Sequence, residues 1–484
     1  MQLKAWTGIS LFLLVSALSF IMTAERLDPN WPSKEISTSQ ATVYYVAPSG
    51  DDSNLGTAAA YPWRTIQKAA NTLIAGDTVY IRAGVYHERV TPQNSGSAGN
   101  YITYAAYPGE TATIDGSGVT MPDDLAGLFE ISSQNYIRVA GLRVIDVGPF
   151  NDNAGILILN SGYITVENNS TTNTNSSGIG VWGSHNVLVK GNRIDEAGGG
   201  GWQECISVAG TDTFEVRNNE ILNCHKEGIC IKDGASNGQV YRNNVHHTQK
   251  VGIYVDAWDK HTYNIDVFQN VAHDMQDNNG FSLASEMGGL LENVRVYNNL
   301  AYHNRYLGLS ISINGPGGTP VKHPMKDIAV INNTFYNNGW EPWGGGIAVD
   351  NPDAQNVIVR NNLVSQNFYF QIAVALDVPT QTLSIDHNLI DGYRGHESEG
   401  EVYGSDYVEG DPLFVNASGA DFHLRENSPA IDAGSATDAP SADFDGRVRP
   451  LDGDDDSVAA YDIGAFETLF YSEYVYLPIV LRVY

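Results

Sequence analysis

Charged residues recur at one place in successive stretches of this chain. Lys232 with Asp233, Asp256 with Asp259, and Glu286 each follow a glycine-led apolar motif, starting at Gly228, Gly252 and Gly280, by four to seven residues. Two chemistries suit such a set. In the first, Asp233, Asp256 and Asp259 offer hard oxygen donors to Ca2+, which bridges to an acidic sugar while Lys232 removes a carbon-bound proton. In the second, Asp256 and Glu286 act as acid and base of hydrolysis. One strand spacing and a two-residue offset put these two roughly 8 Å apart, within the ~6.5–9.5 Å that admits the water of an inverting mechanism. Tyr254 and Trp258 stand close by and suit stacking on a sugar face. A third reading is binding without turnover, with Trp182, Trp202, Trp340 and Trp343 as glycan contacts. The alternative to all three is solvated surface charge.

The composition narrows the partners. The 484 residues carry 27 Lys+Arg against 56 Asp+Glu, a formal charge of -29. A field this acidic repels phosphate backbones over a Debye length of about 8–10 Å, so nucleic acid is not the partner. A polyanionic sugar would likewise need a bridging cation. Three cysteines, Cys205, Cys224 and Cys230, allow at most one bridge, so packing and backbone pairing must hold the fold. Lys4 precedes an apolar run over residues 8–22 of signal-peptide length. The expectation is a signal segment over 1–24, a Pro- and Ser/Thr-rich linker over 25–41, and a secreted or cell-surface monomer with no membrane span after signal removal.

The elements that must position the charges come from an internal repeat. Segments ending in asparagine recur at Asn169, Asn192, Asn219, Asn244, Asn270, Asn299, Asn333, Asn362 and Asn388. A glycine-led motif alternates with them at Gly155, Gly178, Gly228, Gly252, Gly280, Gly308 and Gly346, with Cys205 and Gln371 in the same slot. Recurrence at spacings of 23 to 34 residues means a solenoid, with at least two short strands per repeat. Period-two alternation sends Ile229, Ile231, Ile253, Val255, Phe281 and Leu283 to the interior. Asparagine tolerates the left-handed conformation of a tight turn and can bond to its equivalent one rung away, which predicts an asparagine ladder.

These repeats, with the opening YYVAPSGDDSNLGT (residues 44–57) and PWRTIQKAANTLIAGDTVYIRAGVYHE (residues 62–88), resemble right-handed parallel β-helix proteins of the pectate-lyase superfamily. The resemblance covers roughly residues 42–467. It implies an all-β right-handed parallel β-helix with an N-terminal capping helix, placed at residues 65–75, and first coils over 42–126. Repeats then fill 127–410, C-terminal coils and a cap take 411–467, and a tail 468–484. It also implies calcium-assisted β-elimination of an extracellular polysaccharide, with inverting hydrolysis and glycan binding as alternatives.

The stretch from each glycine slot to the next asparagine lengthens from Gly228 to Gly308, building a wall beside one strand face, where the groove is expected. Insertions at residues 197–204 and 339–345 precede other slots. His247 and His273 read as stacked side chains or a metal pair. Asp452, Asp454 and Asp456 read as a solvated acidic turn or an adventitious calcium site.

Overall fold

The computed structural model describes residues 41–313, 322–341, 344–392 and 400–469. The expected signal segment, the linker up to residue 40, Trp343 and the tail beyond residue 469 lie outside them. Among the described residues, no helix is long and apolar enough to cross a membrane.

The chain winds as a right-handed parallel β-helix with three sheets. Among the described residues, the first sheet has 13 strands, from Val43–Val46 to Leu383–Asp386, and the second has 13, from Gly84–Tyr86 to Val408–Glu409. The third has ten, from Ala126–Ser132 to Phe370–Val374. One coil runs from Ile253–Asp256 in the third sheet through Thr262–Phe268 in the first and Val271–His273 in the second, reaching the third again at Phe281–Ala284. Two strands per repeat were legible in the sequence. The second sheet's strands are often only three residues long, too short to show an alternation.

Each strand sends alternate side chains inward, and equivalent residues stack. Val240 pairs with Val267, Val267 with Val296, and Val296 with Val330, all buried. Each such side chain contributes about 1.5–3 kcal/mol of burial. The glycine slots stay in register: Ile229, Ile253, Phe281 and Leu309, each just after its slot, pair in succession. A Cβ at Gly228 would stand 2.3 Å from Val245 and 2.6 Å from the Gly252 carbonyl, which explains the small residue.

The ladder is present. Each ladder asparagine donates its side-chain amide, at 2.9–3.1 Å, and its backbone N–H to the side-chain oxygen of the next. One rung departs from the sequence reading: Asn243, not Asn244, takes the place between Asn219 and Asn270. The residue before each ladder position is left-handed, and in this coil that residue is Arg242 (φ 54°), so the corner closes one residue earlier.

Both ends are closed. The N-terminal helix is Ile66–Ala70, shorter than residues 65–75, with Thr65 as its cap and Ile66, Ala69 and Ala70 buried. Glu88 accepts the free N–H groups of Ile66 and Gln67 at 2.9 and 2.8 Å. At the far end an antiparallel hairpin, Phe414–Asn416 with Asp421–Leu424, packs aromatic residues on the second sheet. A fully buried Arg449–Glu467 pair at 2.9 Å holds the segment that follows. In this cap the carboxylates of Asp432, Asp452 and Asp454 lie within 4.8 Å of one another, whereas Asp456 accepts from the Val458 N–H.

Cys205 and Cys224 form the disulfide, which ties neighbouring coils, and Cys230 is free and buried. The histidine slot is corrected along with the ladder. His246, not His247, stacks on His273 (centroids 5.1 Å apart), and His273 stacks on Tyr302 (4.8 Å).

Candidate functional site

The third sheet carries the site because loops rise along both of its edges. The lengthening connections lie where the chain leaves this sheet for the first. Residues 197–204 and the described part of 339–345 lie where it arrives from the second, so the described loops of both sets border this sheet. The outward column reads Leu159, Trp182, Ala209 and Lys232 in direct register, then Asp256, Ala284 and Ser312. This is the column the glycine spacing predicts.

Lys232, Asp233, Tyr254, Asp256, Trp258 and Glu286 line one cavity of about 360 Å³, together with Trp202, Glu204, Lys226, Glu227 and Cys230. Other predicted residues lie elsewhere. Trp182 is two rungs from Lys232 in the same column and does not line the cavity. Trp340 is 56% exposed and bonds to the Arg305 backbone, five coils beyond Trp202, about 24 Å at one strand spacing per coil. Asp259 is exposed and faces Lys260 at 3.6 Å.

At the cavity floor Lys232 is locked in place. Its Nζ donates to Glu204 Oε1 and Oε2 at 2.9 and 2.8 Å and to Gln203 Oε1 at 3.0 Å. Glu204 also accepts from Ser207 Oγ at 2.5 Å. Burial favours the neutral forms of both partners, but their mutual attraction prevails. The Lys232 ammonium is held well above its ordinary value, and the Glu204 carboxyl is held below its own by Lys232 and Lys226. A lysine so paired is a poor base.

Asp256 is the contrary case. It is 3% exposed, and burial pushes its carboxyl up to about 7, with the charge of Glu286 adding to the rise. Asp256 Oδ1 accepts the Glu286 backbone N–H at 3.2 Å. Burial also raises the Glu286 carboxyl, but the Tyr254 hydroxyl donates to it and supports its ionised form. Two carboxyls in one enclosed cleft thus rest in different surroundings, the condition for dividing acid and base roles.

The three carboxylates expected from sequence to hold Ca2+ are not gathered around one point. Among the described residues, the one group of three or more metal-ligating side chains within reach of each other is Asp432, Asp452 and Asp454, far along the chain from the cleft. The side-chain oxygens of Asp233, Asp256 and Asp259 do not all lie within 4.8 Å of one another, although Asp233 and Asp256 line the same cavity. Glu204, Lys226 and Glu227 escaped the sequence reading. Their signal was available, since Glu204 and Glu227 each stand one residue before a slot, at Cys205 and Gly228, in consecutive coils.

Coil, ladder and loop-walled cleft define a class, and comparison with known proteins agrees. The chain belongs to the family of the right-handed β-helix region, whose family model matches residues 129–272 and 260–406. The Pel9A-like right-handed β-helix region matches residues 44–198. Among individual proteins, the uncharacterized protein YwoF of Bacillus subtilis is 25% identical over 86% of this chain and 97% of its own length. Pectate lyase PEL9 of Emericella nidulans is 31% identical over 30% of this chain and 37% of its own. The crystal structure of pectate lyase Pel9A superposes with a TM-score of 0.53 at 18% identity, over 89% of this chain and 97% of that one. XylC in complex with xylose also superposes with a TM-score of 0.53, at 14% identity over 88% and 98%. These two superpositions speak to the fold alone.

Proposed function

We propose that this chain is a secreted carbohydrate-active enzyme that cleaves an extracellular polysaccharide lying on the third sheet, with Asp256 and Glu286 as its proton-transfer groups. The observation that carries this reading is the Asp256 carboxyl, buried on the cleft floor, raised to about 7 and set against Glu286. A carboxyl that still holds its proton near neutral pH is suited to protonate a glycosidic oxygen. Glu286, whose ionised form Tyr254 supports, is suited to accept one.

Elimination stands first, supported by the Pel9A-like region and by the partial identity to a pectate lyase. In that reaction Glu286 takes the proton on C5, the electron pair becomes the C4–C5 double bond, and the C4–O bond breaks. The leaving oxygen takes the proton of Asp256. Hydrolysis remains a second reading because the same acid and base suffice with water as nucleophile, as their separate surroundings allow.

The test is a panel of pectate, alginate and glycosaminoglycan with neutral glycans beside them. Growth of unsaturated-uronide absorbance identifies elimination, and new reducing ends without it identify hydrolysis. Absence of cleavage across the panel would discard the enzyme reading in favour of glycan binding through the cleft and Trp340.

A further inference from the structure

We infer that Lys226 is a seat for an acidic group of the substrate, a carboxylate or a sulfate ester, and that this cleft engages the group without a divalent ion. The inference rests on the cleft being the glycan site and goes beyond it in naming the residue that receives the acidic group and in having the chain itself supply the bridging charge.

The two cleft lysines differ in what they have left to offer. An ammonium has three N–H donors. Lys232 directs its Nζ to Glu204 and Gln203 at 2.8–3.0 Å and is committed. Among the described residues, Lys226 Nζ makes one hydrogen bond, 3.2 Å to the Trp202 carbonyl. Its nearest carboxylates are Glu227 Oε2 at 3.5 Å and Glu204 Oε1 at 3.6 Å, too far for good hydrogen bonds. Its side chain is 27% exposed and lines the cavity, so it is accessible to whatever enters.

The surrounding carboxylates do not cancel this charge. Both oxygens of Glu204 are engaged by Lys232, and one also takes the Ser207 hydroxyl. Glu227 Oε2 is buried with no hydrogen-bond partner, and burial together with the Glu204 charge favours its neutral form. Burial raises Asp256 and Asp233 as well, and the charge of Glu286 is taken up by the Tyr254 hydroxyl. A chain with a formal charge of -29 therefore opens at this cleft onto an ammonium with spare donors. Trp202, 64% exposed, supplies both the carbonyl that orients Lys226 and an aromatic face beside it.

A divalent ion in the cleft would need several converging oxygen ligands. Here the Lys232 ammonium fills the centre of the Glu204 carboxylate, and no three acidic ligands among the described residues of the cleft converge. The bridging charge is built into the chain instead.

The test uses the full chain carrying Asp256→Asn to suppress turnover, titrated calorimetrically in excess EDTA. The probes are an oligogalacturonate, a sulfated chondroitin oligosaccharide and a neutral xylo-oligosaccharide. At least one acidic probe should bind more tightly than the neutral one, and which one separates carboxylate from sulfate. Adding Lys226→Gln should weaken acidic binding roughly tenfold or more, as expected for loss of a charged hydrogen bond. It should leave neutral binding within about twofold, while Lys226→Arg should retain most of the acidic affinity. Thermal melts of each variant confirm folding. Binding abolished by EDTA and restored by Ca2+, unchanged acidic affinity in Lys226→Gln, or no acidic binding at all would each overturn the proposal. Acidic binding that depends on Lys226, in a protein that cleaves nothing, would sink the enzyme reading and leave this one standing.

Discussion

A buried carboxyl with a raised pKa links the cleft to stability, and for Asp256 the sign can be worked out. In an unfolded chain an aspartate loses its proton near 3.9. In the fold, burial delays that loss to about 7. Between those values the folded form binds more protons than the unfolded form, so stability falls as pH rises through the window. The loss is absent below about pH 4 and complete above about pH 7. Asp256→Asn removes this titration while keeping an oxygen for the Glu286 N–H. The variant should therefore gain on the parent as pH rises from about 4.5 to 8, by at most a few kcal/mol at about 1.4 per unit. Melting temperatures at the two pH values measure the gap, and a gap that does not widen counts against the buried titration. On a substrate the parent cleaves, the same variant should lose about 10²-fold or more in kcat. Asp256, Glu286 and Lys232 were legible in the sequence because each follows a glycine slot. The partner that turns Lys232 from base into fixed cation was not. Glu204 is 28 residues away and meets Lys232 only once adjacent coils stack.

At the scale of the strand and its corner, the ladder sets the phase of the winding. Asn270 accepts both the backbone and side-chain N–H of Asn243, and itself donates to Asn299 and to the Val240 carbonyl. Asn270→Ala leaves buried donors without an acceptor and should cost about 2–4 kcal/mol. Asn244, its neighbour in the doublet but half-buried and off the ladder, should tolerate alanine within about 0.5 kcal/mol. Urea midpoints of the two variants decide the matter, and equal losses would refute the ladder's role. Repeats and alternation made the β-helix readable in advance, since stacked coils must repeat what they bury. Which asparagine of the 243–244 pair enters the ladder was not readable, because Arg242 adopts the left-handed place that asparagine fills in several other coils. The cysteine pairing was open for a related reason. Cys205 and Cys224 meet across a coil boundary, while Cys230 lies on the cavity-lining face of the third sheet.

For the whole molecule, the charge of -29 and the Lys226 ammonium in the cleft act at different distances. An acidic glycan meets a repulsive field from afar and an ammonium only at contact. Raising ionic strength from about 0.01 to 0.15 M shortens the screening length from about 30 to 8 Å, which weakens the far repulsion first. The association rate of the acidic probe should therefore rise with salt over this range, while that of a neutral probe stays flat. Stopped-flow measurements distinguish the two, and a rate for the acidic probe that falls with salt would mean that attraction dominates at every distance. The ladder corner has a consequence on a longer timescale. Every rung from Asn169 to Asn388 closes with one left-handed residue and one asparagine, whatever the length of the loops elsewhere in the coil. Unequal recombination between two ladder codons would thus copy or delete one whole coil without shifting the phase of any other strand. The third sheet is thereby heritable in steps of one rung, about 4.8 Å, so under the proposed function a lineage lengthens the face offered to a glycan by duplication alone.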